Sequence, residues 1–141
     1  MPLVTLTCSK SYYPVDDESV EPVNHAKLVV DLAQALPWLL SSNQDRLGIG
    51  QIPDEAVQVD IHKFHFAAVN TPDLWILMEF TENPDDKETR IHIRDVLLDI
   101  IGKWMFDTAG FSLDWALDVF FGPSVGAIVD FEGKTVIDWA E

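Results

Sequence analysis

The order of apolar patterns along this chain constrains its fold more than any other feature. A strand–helix–strand order occurs twice in succession, over the predicted elements 3–8, 23–40 and 56–69, and then 74–81, 83–106 and 114–121. Two right-handed βαβ units joined side by side form a four-stranded sheet that carries both helices on one face. We therefore predict a single domain over residues 1–141, of the α/β or α+β class. Residues 1–70 form its first βαβ half, and residues 71–141 form the second half together with the terminal hairpin.

The end of the chain adds a β-hairpin to this arrangement. Two strand-like stretches, 126–131 and 135–139, flank the short glycine-containing turn Glu132-Gly133-Lys134. Because both helices lie on one face of the sheet, the other face is left uncovered. We expect three copies of the chain to close around that face, which predicts a homotrimer.

The charge of the chain excludes several classes of partner. Its 141 residues include 9 Lys and Arg against 24 Asp and Glu, which gives a formal net charge of −15. Such a charge repels nucleic-acid phosphates and anionic membrane surfaces, so neither is an expected partner. No apolar stretch approaches the roughly 20 residues of a membrane span, and no signal peptide is recognisable. A single cysteine is typical of a reducing compartment, and we expect a cytoplasmic protein.

The amino terminus carries a further pattern. Pro2 follows the first methionine and runs directly into the first predicted strand, within the stretch MPLVTLTCS. This start, together with the doubled βαβ order and the chain length, resembles the tautomerase superfamily, and within it the carboxymethyl-hydroxymuconate isomerases. The resemblance extends through the second strand, 75–81, 95–101 and the terminal hairpin, as a pattern rather than a long motif. It implies a homotrimer built from two fused βαβ halves.

The resemblance also implies an enzyme, an isomerase (tautomerase) that uses an amino-terminal proline. Removal of Met1 would expose Pro2 as a secondary amine, and an apolar pocket lowers the pKa of such an amine until it is neutral near pH 7. A neutral proline nitrogen can remove a proton from the carbon beside a carbonyl group and return it elsewhere, so no cofactor is needed. If Met1 is retained, Pro2 is an ordinary residue at the start of a strand.

The arginines that the resembling isomerases use to hold carboxylates are missing from the matching positions. Gln58 stands where the second strand would carry one, and Asp85, Asp86 and Lys87 occupy the start of the second helix. Gln58 can donate a hydrogen bond to a developing enolate, but it cannot form a bidentate pair with a carboxylate. Lys87 or Arg90 is the candidate replacement. We therefore expect a small carbonyl substrate that is neutral or carries one acidic group.

Further candidate site residues lie on the second strand. His62 is either an acid or base beside Pro2 or a hydrogen-bonded residue at a subunit interface. Lys63 either binds a carboxylate of the substrate or reaches solvent from a strand edge. Asp60 is a candidate substrate contact and shares a strand face with His62. Because His65 points to the other face, we expect no metal site.

Most aromatic residues are expected to pack rather than to react. Trp38, Trp75, Trp104 and Trp115 fall within predicted elements and belong mainly to the core, and Trp75 is the one that we expect to line the substrate pocket. Cys8, on the apolar face of the first strand, has no evident base partner and is also expected in the core.

Two alternative functions stay open from the sequence. A hydratase, dehalogenase or decarboxylase of the same superfamily would use a carboxylate such as that of Asp60 to activate water. A non-catalytic oligomeric protein would keep this fold and bind a partner without the missing arginines.

Overall fold

A mixed sheet and two long helices make up most of the structure, a computed structural model that describes residues 2–9, 24–48, 50–63, 72–81, 84–109 and 113–141. The strands are β1 (Leu3–Cys8), β2 (Gln58–Lys63), β3 (Leu74–Glu79), β4 (Trp115–Phe120), β5 (Ser124–Val129) and β6 (Thr135–Ala140). The helices are α1 (Asn24–Ser42), the short α2 (Gln44–Leu47) and α3 (Lys87–Ala109), and a 3-10 turn covers Asp54–Ala56.

The strands form one six-stranded sheet in the order β2-β1-β3-β4-β5-β6. The pairs β1/β2 and β3/β4 are parallel, whereas β1 and β3 are antiparallel. These directions are compatible with two βαβ units joined side by side. The β5–β6 hairpin pairs with β4 and continues the same sheet, so the predicted four strands become six. The prediction of an α+β fold, a sheet with helices packed against it, is confirmed.

One hydrophobic core lies between the sheet and the helices. Alternate residues of β1 (Val4, Leu6 and Cys8) and the buried stripe of α1 (Leu28, Leu32 and Leu36) belong to one cluster with residues of α3. Helices α1 and α3 contact each other, so they cover the same face of the sheet. We call the opposite side the open face; on β1 it carries Leu3, Thr5 and Thr7, which are half-buried.

Strand β3 differs from its prediction. Its continuous apolar sequence predicts burial on both faces, but only Leu74, Ile76 and Met78 are fully buried. Trp75 and Leu77 alternate with them and are half-buried on the open face. The physical reason is that both long helices lie on one side, so the second apolar row of β3 has no covering layer. Strand β2 ends at Lys63, and the rest of its predicted range, 64–69, lies outside the described residues.

Helix α1 continues through Pro37 to Ser42, where the sequence predicted a kink or a restart. Trp38 follows Pro37 on the solvent side, away from the buried stripe, and is 62% exposed. The prediction that Trp38 belongs to the core is therefore wrong, whereas Trp115 is fully buried. Within the described residues no helix has the length and apolar character needed to cross a lipid bilayer.

Helix α3 is capped by Asp86. Its carboxylate accepts hydrogen bonds from the main-chain N–H of Glu88 at 3.1 Å and from the hydroxyl of Thr89 at 3.2 Å. The bond from Glu88 satisfies one of the main-chain donors that every helix start leaves unpaired, and the carboxylate puts negative charge at the positive end of the helix dipole. The helix consequently begins at Lys87, later than the predicted start at Asn83, which lies outside the described residues.

Candidate functional site

Pro2 is buried at the start of β1, an inner strand of the sheet. The main-chain N–H of Gln58 donates to the main-chain oxygen of Pro2 at 3.4 Å, so the pairing of β1 with β2 reaches back to Pro2. Leu3 pairs with Gln58 on one side and with Glu79 on the other. The same registers, extended by one residue, put Val57 and Phe80 on either side of Pro2. They are 8% and 7% exposed. Pro2 therefore begins its strand between two buried apolar residues.

Phe80 follows β3 and also contacts the end of β4, the next strand in the sheet. Its ring stacks on the ring of Phe121, with centroids 5.3 Å apart and an interplanar angle of 22°. Its main-chain N–H donates to the oxygen of Phe120 at 3.0 Å. An aromatic pair and a ladder hydrogen bond thus hold the position beside Pro2.

Polar groups border the open face at the same end of the sheet. Gln58 and Glu79 both pair with Leu3, one on each side of β1; Gln58 is exposed and Glu79 is half-buried. Lys87 begins α3 after the chain leaves this end of β3, and it is exposed. We call this part of the sheet, where β1 starts, the Pro2 end. Of the predicted site residues, it holds Pro2 and Gln58.

The remaining predicted residues of β2 lie farther along the strand. The register puts Asp60 beside Thr5 and His62 beside Thr7. At about 3.3 Å per residue, Asp60 is roughly 7 Å and His62 roughly 13 Å from Gln58 along the strand. His62 is therefore too far from Pro2 to share its proton directly. The face shared by Gln58, Asp60 and His62 was predicted from their alternation, but their separation depends on the register.

Trp75, Lys63 and His62 gather at the far end of the sheet. Trp75 and His62 flank Thr7 on the open face, and Lys63 pairs with Cys8 at the end of β2, where it is exposed. Trp75 thus lies beside His62 rather than beside Pro2. In the part of the chain that is described, no three His, Cys, Asp or Glu side chains are grouped so that they could hold a metal ion; His65 lies outside that part.

Arg90 is one of the two candidate replacements for the arginine that the resembling isomerases carry. Its side chain is hydrogen-bonded to main-chain oxygens. Its guanidinium donates to the oxygen of Pro84 at 2.7 Å and to the main-chain oxygen of Glu141 at 2.9 Å. The residue is 7% exposed. Its hydrogen bonds fasten the start of α3 to the end of β6, and Lys87 is left as the cation of the two with a side chain in solvent.

A chain of hydrogen-bonded polar groups on the open face was not predicted from the sequence. The indole N–H of Trp139 donates to the hydroxyl of Ser124 at 3.0 Å, and that hydroxyl donates to the carboxylate of Asp118. The indole also stacks on Trp75, with centroids 6.3 Å apart and an interplanar angle of 27°. The sequence signal for this arrangement was the pair of small residues Ala116 and Gly126, because an aromatic ring that lies flat on a sheet needs small side chains beneath it.

Cys8 is buried, as expected from its strand face. Burial raises the pKa of its thiol to about 11. The thiol donates a weak hydrogen bond to the main-chain oxygen of His62 at 3.5 Å. A thiol in this state supplies almost no thiolate at neutral pH, which makes Cys8 a poor nucleophile.

A scan against protein-family models finds no match, and a search of curated protein sequences also finds none.

Proposed function

We propose that this protein is an isomerase of the tautomerase type, in which the nitrogen of Pro2 transfers a proton on a small carbonyl compound. The observation that carries the proposal is the position of Pro2 between the buried residues Val57 and Phe80. Low-dielectric surroundings disfavour an ammonium ion and lower the pKa of an amine. After removal of Met1, the Pro2 nitrogen would therefore be a neutral base near pH 7.

The reaction needs one proton and a polarised carbonyl group. The Pro2 nitrogen takes a proton from the carbon beside the carbonyl, and the electron pair of the C–H bond forms the enolate. The protonated amine then returns the proton to oxygen or to another carbon, which balances the reaction without a cofactor. Gln58 is the proposed hydrogen-bond donor to the enolate oxygen, and Lys87 is a second source of positive potential.

The charges at this end of the sheet favour a substrate with few acidic groups. Arg90 is engaged with main-chain oxygens, and Lys87 is exposed. Glu79 stands across β1 from Gln58, so a second carboxylate on a substrate would meet a negative charge there. We propose a neutral or monoacidic ketone or aldehyde.

The sheet also supports the proposal at the level of architecture. Its parallel pairs β1/β2 and β3/β4, joined through antiparallel β1 and β3, are compatible with two fused βαβ halves. On the open face, Phe120 and Ile137 are 44% and 56% exposed. Association of three copies through this face would cover these side chains, and light scattering in solution would measure it.

The test uses enolisation of phenylpyruvate after mass spectrometry of the amino terminus. We expect a free Pro2 and measurable enolisation. Pro2→Ala should lower kcat/KM about 100-fold or more, the usual contribution of a positioned acid–base group. A form with one additional residue before Pro2 should be inactive, because its proline nitrogen is an amide. The matched control is Pro72→Ala, which alters another buried proline, ahead of β3 at the far end of the sheet.

Three outcomes would overturn the proposal. They are retention of Met1 in the native protein, equal rates for the wild type and the extended form, and no enolisation by a protein whose Pro2 is free. The last would favour the non-catalytic binding protein.

A further inference from the structure

A cleft of about 370 Å³ opens between the second half of α3 and the turn that joins β5 to β6. Its lining includes Leu98, Gly102, Lys103, Phe106, Trp115 and Thr135. The volume falls within the range of small-molecule sites in proteins. Trp115 begins β4, so the cleft and the Pro2 end are separated by about 17 Å, the length of this strand. The cleft is therefore distinct from the proposed catalytic site.

The floor of the cleft contains an unused hydrogen-bond donor. Trp115 is 1% exposed, and its indole Nε1–H has no acceptor among the described residues. Cζ2 of the indole lies 3.8 Å from the position of a β-carbon on Gly102. Cζ2 and Nε1 are bonded to the same ring carbon, so the donor lies two bonds from the ring atom that approaches Gly102. A buried donor without a partner costs free energy, which an acceptor atom of a ligand would recover.

Gly102 leaves space in the cleft above Trp115. A glycine inside a helix is unfavourable compared with alanine, and here no atom within 3.8 Å requires it. Packing against Trp115 thus does not explain the glycine. A larger side chain at position 102 would project into the cleft and fill it.

The charge at the rim favours an anion. Asp99 is also part of the lining, but its carboxylate is paired with Arg46 at 2.9 Å. Lys103 is exposed and forms no ion pair with any described residue. In a chain of net charge −15, this lysine is the local group that could attract a carboxylate.

We propose that this cleft is a binding site for a small aromatic monocarboxylate. Its ring lies against Phe106 and the floor formed by Gly102 and Trp115. Its carboxylate pairs with Lys103 at the rim. This assignment does not depend on the proposed function, because the cleft and Pro2 lie at opposite ends of the sheet.

Binding of 1-naphthaleneacetate to the full chain tests the proposal, with the neutral 1-naphthaleneacetamide as the matched probe. Protein labelled with ¹⁵N reports the indole N–H signals, and Trp115→Phe assigns the one that belongs to Trp115. We expect that signal to shift on titration with the carboxylate. Lys103→Gln should weaken binding of the carboxylate about fivefold, the upper range for an exposed ion pair, and leave binding of the amide unchanged.

Two variants and one control complete the experiment. Gly102→Leu should abolish binding of both probes. Phe106→Ala should weaken both, and it removes an exposed ring, so it keeps the test valid if Gly102→Leu does not fold. Lys27→Gln, which removes an exposed lysine of α1, should change neither. Unchanged binding in folded Gly102→Leu or in Phe106→Ala, or equal loss from Lys103→Gln and Lys27→Gln, would overturn the assignment.

Discussion

Trp139 lies directly over Gly126, and its indole occupies the space that a β-carbon on residue 126 would need. The two residues pair across β5 and β6 on the open face. From this position the indole reaches Ser124 with its N–H and stacks on Trp75. The missing side chain of Gly126 thus allows a large aromatic ring to lie flat on the sheet.

The first prediction is that Gly126→Ala lowers the free energy of unfolding by about 1–3 kcal/mol, the usual cost of overpacking. The added methyl group must displace the indole of Trp139, which breaks its hydrogen bond to Ser124. Urea unfolding measures the change. In a Trp139→Ala background the same substitution should cost less, because the conflict with the indole is gone and only the conflict with the main-chain oxygen of Leu117 remains. An equal cost in both backgrounds would contradict the proposed origin.

Gly102→Ala should act in the opposite direction. Gly102 lies inside α3, and the nearest atom to a β-carbon there is Cζ2 of Trp115 at an ordinary contact distance of 3.8 Å. Alanine restricts the unfolded chain and favours the helix, so we expect a gain of about 0.5–1 kcal/mol in the free energy of unfolding. Urea unfolding of the two glycine variants side by side checks the sign. A loss at position 102 would mean that the cleft cannot accept a methyl group.

Arg94 joins α3 to the terminal hairpin through main-chain oxygens. It is buried, donates to the oxygen of Trp139 at 3.1 Å, and pairs with the exposed carboxylate of Asp95 at 3.0 Å. We predict that Arg94→Met lowers the free energy of unfolding by about 2–4 kcal/mol, because it leaves buried acceptors unpaired. Thermal and urea unfolding measure the loss.

The control for Arg94 is Asp95→Asn. Asp95 is mostly in solvent, so its loss should cost less than about 1 kcal/mol. If the two variants were equally destabilised, the contribution of Arg94 would come from its ion pair with Asp95 within α3 and not from its main-chain contacts with the hairpin.

Much of the fold follows from local patterns in the sequence. The predicted ranges 3–8 and 23–40 agree to within two residues with β1 (Leu3–Cys8) and α1 (Asn24–Ser42), since each apolar pattern reflects burial against one layer. The start of α3 was less certain, because Asn83, Asp85 and Asp86 are all capable caps and only the backbone geometry selects Asp86. The half-buried face of β3 could not be predicted either, since apolar residues look alike whether helices or another chain cover them.

The candidate site shows the same limit. Alternation puts Gln58, Asp60 and His62 on one face, but it does not say which of them lies beside Pro2. That depends on how β2 is aligned with β1, a long-range property of the pairing. The role of Arg90 was hidden for a similar reason, because its acceptor on Glu141 is far away in the sequence.

The last prediction is that ionisation of the Cys8 thiol lowers the free energy of unfolding at alkaline pH. Burial raises the pKa of its thiol from 9.0 to about 11. Below pH 9 the thiol is protonated in both folded and unfolded chains, so it leaves stability independent of pH. Between pH 9 and 11 the unfolded chain loses the proton while the folded chain keeps it, so the free energy of unfolding should fall, by on the order of 2–3 kcal/mol. Urea unfolding of wild type and Cys8→Ala at pH 7 and pH 10.5 measures this, since other alkaline titrations are common to both. The advantage of the wild type should shrink at pH 10.5, and a constant difference would show that the thiol titrates alike in both states.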